Sequence, residues 1–117
     1  MPSQPSHRLL IVARIKPGAE QETADLFRAS DRTELPHALG VRRRDLYAYH
    51  GLYFHHVEFG GDPRAAVTAA RQRADFQQLS ADLDAYITPY RPETWRSPLD
   101  AMATGFYTWT AEHGELG

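Results

Sequence analysis

The order strand, helix, strand, strand, helix, strand predicts an α+β, ferredoxin-like βαββαβ sandwich: an antiparallel sheet with helices packed on one face. Three observations carry that expectation. Residues Arg8–Ile15 (RLLIVARI) form a β-branched apolar run stopped by Pro17-Gly18. Val41–Tyr49 and Leu52–Phe59 are two β-prone runs separated by the two-residue turn His50-Gly51. Between and after them lie stretches with helical spacing. The first, 19–32, lacks Pro and Gly, opens with Glu20 and Glu22 at the positive end of a helix dipole, and sets Thr23, Ala24 and Phe27 on one stripe. Leu35-Pro36 and Gly40 bracket a connection to the hairpin. Asp62-Pro63 is an N-cap followed by a first-turn proline, so 64–74 reads as helix. Phe76, Leu79, Leu83, Tyr86 and Ile87 extend its period, kinked, until Thr88 meets Pro89. Three prolines make 89–99 irregular, and the aromatic run 104–110 (TGFYTWT) supplies the last strand.

A chain of 117 residues has room for one core, so 1–117 reads as a single domain with a flexible N-terminal tail, 1–7, and a C-terminal tail, 111–117. At 42% hydrophobic and 24% charged residues, the composition excludes a disordered chain. Thirteen basic against fifteen acidic residues give no basic surplus for nucleic acid. The absence of cysteine removes disulfides, thiolate nucleophiles and cysteine metal sites. No apolar run approaches the roughly 20 residues of a membrane span, and the N-terminal residues lack the apolar core of a signal peptide, so a cytoplasmic protein is expected.

A sheet with helices on one side should alternate apolar with polar residues. The hairpin does not. Leu46, Ala48, Tyr53, His55, Val57 and Phe59 form one set, while Tyr47, Tyr49, Phe54, His56 and Glu58 form the other, so aromatic surface occurs on both faces. A homodimer covering the face of Tyr47, Tyr49 and Phe54 is the expected solution.

Three polar residues fall on the helix side. Asp31 lies four residues after Phe27, near the negative end of its helix, so it needs a donor or has a task; a turn-capping role is the alternative. Arg44 shares the face of Leu46 and Ala48, where a guanidinium must be paired, by Asp31 or Glu34, or serve a ligand. His55 faces the same layer as a hydrogen-bonded core residue or a catalyst. His56 points the other way, so this His-His pair cannot chelate one metal, and none is assigned. The chain has no G-x-S-x-G, P-loop, Rossmann glycine pattern or H-E-x-x-H.

D-R-T-E-L-P at 31–36, G-V-R-R-R at 40–44, H-x-L-Y-x-H at 50–55, T-P-Y at 88–90 and F-Y-x-W at 106–109 together resemble the tetracenomycin-type aromatic polyketide cyclases. The likeness runs from Leu9 to Thr110. It implies a small, cofactor-free ferredoxin-like homodimer of a type II polyketide pathway. Its implied activity is regiospecific intramolecular aldol cyclisation and dehydration of a poly-β-ketone intermediate. It also implies catalytic roles for Asp31, Arg44 and His55, with Phe27, Ser30, Tyr53 and Trp109 as substrate contacts. One departure stands out: where a family relative has a histidine immediately before the aspartate, this chain has Ser30. Two rival functions fit the same features. One is a cofactor-independent quinone-forming monooxygenase, the other a non-catalytic polyketide-binding chaperone.

Overall fold

The computed structural model describes residues 7–96 and 98–115. Strand β1 (Arg8–Ile15) leads to helix α1 (Glu20–Asp31), a short helix α2 (Leu35–Leu39), and the hairpin of β2 (Val41–Tyr49) and β3 (Leu52–Phe59). Helices α3 (Pro63–Ala70) and α4 (Ala74–Leu83) precede β4 (Ile87–Pro89), and a small hairpin of β5 (Trp109–Thr110) and β6 (Gly114–Glu115) ends the described chain. The main sheet has the order β2-β3-β1-β4, all antiparallel. This is the expected ferredoxin-like arrangement.

Local chemistry explains the junctions. His50 and Gly51 both take positive φ, 47° and 82°, as a two-residue turn matched to strand twist requires. Asp62 caps α3 by accepting from the Arg64 backbone N–H at 3.0 Å, and Pro63 occupies the first turn. In β2 the register slips between Val41 and Arg43. The extra residue, Arg42, lets odd-numbered Val41 and even-numbered Arg44 both face the helices, so the irregularity aims Arg44 inward.

Three expectations change. The long helix ends early: the chain leaves helical pairing at Arg71–Arg73 and restarts at Ala74, so the expected helix is two helices joined by a turn, ending at Leu83, with 87–88 already in β4. The connection at 35–40 contains α2, closed by left-handed Gly40. The fourth strand of the main sheet is Ile87–Pro89, paired with Ala13 to Ile15 of β1, and not 104–110, whose only strand pairs with β6 in a separate sheet. Part of the expected C-terminal tail, Gly114–Glu115, is that partner strand. Residues 1–6 of the expected N-terminal tail lie outside the described residues.

The core has two parts. Ala13, Ile15, Ala19, Phe27 and Tyr53 form one cluster, and Leu9, Val57, Phe59 and Val67 the other. Helix α4 buries none of its residues fully, although Phe76, Leu79 and Leu83 face the sheet. A cavity lies beneath them.

Candidate active site

The cavity, about 740 Å³, opens between the sheet and the helices. Its volume falls in the range of small-molecule sites. Leu9, Ile11, Val57 and Phe59 of the sheet and Phe76 and Leu79 of α4 give it apolar walls. Arg71, Gln77, Ser80, Asp84, Thr88 and Arg96 also line the cavity, and Arg44 and His55 bring a cluster of polar groups to its sheet wall.

Arg44 is the hub of this cluster. Its Nη2 donates to Asp31 Oδ1 at 2.8 Å and its Nε to Asp31 Oδ2 at 3.1 Å, a two-pronged grip across 13 residues of sequence. Its Nη1 donates to His55 Nε2 at 2.9 Å. Helical spacing makes this possible, because Phe27 and Asp31 are one turn apart on α1. The carboxylate reaches the edge of the guanidinium while the Phe27 ring lies 4.7 Å from its central carbon. The same ring meets His55 edge-on at 5.0 Å. Phe27, itself 5% exposed, is therefore the platform on which cation and imidazole are held.

This contact fixes the histidine tautomer. A guanidinium can only donate, so Nε2 must accept and the ring proton sits on Nδ1. Nδ1 has no hydrogen-bond partner among the described residues, yet no side-chain nitrogen or oxygen there is both sealed and unpartnered. Nδ1–H is thus accessible from the cavity that His55 lines. Burial, the neighbouring Arg44 cation and then His56 push the imidazole pKa down to about 3, so the ring is neutral at physiological pH.

The other sequence candidates separate. Tyr53 lines the cavity and is 4% exposed, its ring 6.3 Å from that of His55. Ser30 does not line the cavity; its backbone carbonyl accepts from Thr33. Trp109 sits on β5, 60% exposed and outside the cavity wall. The tryptophan that does line it is Trp95, which reasoning from sequence left in an irregular segment. Phe76 and Leu79 also line it, although their helical spacing reads as ordinary core. His56 lies on the opposite face with Nδ1 3.7 Å from Asp45, as strand alternation requires. Among the described residues no cluster of three or more His, Asp or Glu is arranged to hold a metal ion. No helix there is long and apolar enough to cross a membrane.

Comparison with known proteins places the chain and its fold in one family. The chain is 43% identical to polyketide synthase CurG of Streptomyces cyaneus over 103 residues, covering 88% of this chain and 96% of the relative. It is 38% identical to tetracenomycin F2 cyclase of Streptomyces glaucescens over 106 residues, covering 91% and 96%. The solved structure of that type II polyketide cyclase superposes with a TM-score of 0.82, covering 91% of this chain and 99% of the other. A putative antibiotic biosynthesis monooxygenase from Nitrosomonas europaea matches at a TM-score of 0.53 and 11% identity, covering 73% and 84%, a likeness of fold alone. The family model for polyketide synthesis cyclases matches residues 7–110, and the chain belongs to that family.

Proposed function

We propose that this cyclase folds a poly-β-ketone intermediate into the cavity and closes a ring by intramolecular aldol condensation and loss of water. The observation that carries the reading is Arg44 held between Asp31 and His55 on the sheet wall of a largely apolar cavity. Charge in an aldol closure develops on oxygen, first as an enolate and then as an alkoxide. A fixed cation and a neutral N–H aimed at those positions stabilise it without reorganising during the reaction. Arg44 takes the enolate oxygen. His55 keeps its proton on Nδ1 and presents it to a substrate oxygen, and Asp31 holds the guanidinium plane in register.

A methylene between two carbonyls is already acidic, so the first requirement is placement more than a strong base. Bringing the reacting carbons to near-attack distance supplies roughly 7 to 11 kcal/mol. Incubating the purified protein with a reactive poly-β-ketone and analysing its products tests the reading. One ring-closed, dehydrated product is expected above the spontaneous mixture. An unchanged mixture would refute catalysis, and oxygen uptake during turnover would favour a monooxygenase.

The working unit in this reading is a homodimer. Tyr47 and Tyr49 are 59% and 64% exposed on the outer sheet face, next to Phe54 in the register. The same face carries Arg43, Asp45 and Glu58, charges of both signs that a two-fold partner can match. Sedimentation equilibrium at micromolar concentration should give twice the chain mass, and a monodisperse monomer would remove the dimer.

A further inference from the structure

Of the polar residues that line the cavity outside the Arg44 and His55 pair, Tyr53 is the one on the same strand face as His55. Tyr53 sits two residues before His55 on β3, so both side chains leave the sheet on the helix side. Its cross-strand partner is Ala48, whose methyl offers no hydrogen bond. The hydroxyl has no hydrogen-bond partner among the described residues, although the residue is only 4% exposed. Buried polar groups are nearly always paired, and a phenylalanine would fill the same space without an unmet hydroxyl. Because no described side-chain oxygen is both sealed and unpartnered, the Tyr53 Oη keeps exposed surface, and the residue lines the cavity.

We infer that Tyr53 is a second oxygen-binding group, which donates a hydrogen bond from Oη to the substrate carbonyl that is attacked as the ring closes. This rests on the ring-closing reading above. The carbon–carbon bond forms as the enolate pair reaches the carbonyl carbon, and the carbonyl π pair moves onto the oxygen held by Tyr53. The proton lost from the methylene balances the one gained by the alkoxide, and water then leaves, so no further reactant is needed. With Arg44 on the nucleophilic half and Tyr53 on the electrophilic half, two fixed donors select which carbonyl is attacked. Burial raises the phenol's pKa above its ordinary value despite the pull of Arg44, so the hydroxyl keeps the proton it donates.

The test is Tyr53→Phe, which removes one oxygen and leaves the ring. Turnover should fall up to about 10²-fold, as for loss of one oxyanion donor, and the product ratio should spread towards other ring closures. Unchanged turnover and product ratio would overturn the assignment. A second measurement does not depend on turnover: the carbonyl stretch of bound fluorenone, labelled at its carbonyl carbon, should lie lower in the wild-type protein than in Tyr53→Phe. An identical band in both, or no binding by the wild type, overturns the contact. A wild-type protein that shifts the band but closes no ring leaves the carbonyl contact standing and refutes the cyclase reading instead.

Discussion

Each face of the hairpin carries an arginine and a histidine, one position apart in sequence, and each arginine grips an aspartate, but only the inner arginine and histidine line the cavity. On the inner face Arg44 joins Asp31 and His55; on the outer face Arg43 joins Asp45, with His56 3.7 Å away. Their surroundings differ. Arg44 draws its carboxylate from a different element, α1, and its side chain is 15% exposed. Arg43 reaches only two residues along its own strand and its side chain is 66% exposed. The outer pair does perturb Asp45, whose carboxyl is held below its ordinary range by the Arg43 hydrogen bond. Solvent nonetheless screens a charge there, whereas the inner cluster faces a largely apolar cavity in which the same charges are screened less and act more strongly. Identity of residues alone is therefore a poor guide to chemistry, and what covers them decides.

The largest expected separation between the faces is in turnover at the two arginines. Arg44→Ala removes the cation proposed to hold the enolate and leaves Asp31 and His55 unpartnered, so ring closure should slow by about 10² to 10³-fold. Arg43→Ala should leave turnover within about two-fold, since an exposed ion pair contributes little. Product analysis of both variants under identical conditions checks this. Equal losses would mean that the sheltered cluster has no special role.

A smaller but cleaner contrast lies in stability against pH. The folded His55 pKa of about 3 is below the ordinary value of 6.5. Between those values the unfolded chain takes up a proton that the folded chain refuses. The stability contribution is therefore complete above pH 6.5 and is lost as pH falls towards 3. At pH 5 the loss is about 2 kcal/mol, from roughly 1.4 kcal/mol per pH unit. Urea unfolding at pH 5 and pH 8, at one protein concentration, should show this term in the wild type and in His56→Gln but not in His55→Gln. The same pH slope in all three would place His55 in contact with solvent.

How much of this was legible beforehand follows from how far each signal reaches. Strand alternation is local and strict, so Arg44, Tyr53 and His55 on one face and His56 on the other could be read from the hairpin alone. Helical spacing likewise joined Phe27 to Asp31. The pairing of Asp31 with Arg44 spans two elements, and the sequence offered it only as one of several options. The slip at Arg42 carries no sequence mark among three consecutive arginines. The fourth strand was misplaced because Tyr86 and Ile87 continue the spacing of α4, while a three-residue strand is too short to show alternation. Trp109 is a candidate only through the family resemblance of the 106–109 motif, whereas Trp95 reaches the cavity from an irregular segment with no periodicity to read.

The smallest expected contrast is at the carboxylates, and it tests what Asp31 is for. Asp31 grips Arg44 and does not line the cavity, so the role proposed for it is to hold the guanidinium plane between Phe27 and His55. Asp31→Asn keeps the shape and one acceptor oxygen but removes the charge and the two-pronged grip. A cation that remains present but turns more freely should still bind substrate, so kcat should fall about ten-fold with KM little changed, as expected for loss of an interaction that counts most in the transition state. Asp31→Glu restores the charge on a longer arm and should recover part of that loss. Asp45→Asn, on the outer face, should leave both constants unchanged. If Asp31→Asn instead raises KM at constant kcat, Asp31 contributes to binding the substrate and not to aiming the arginine. If it changes neither, the fixed geometry of Arg44 owes nothing to its carboxylate, and the Phe27 ring and His55 are sufficient to hold it.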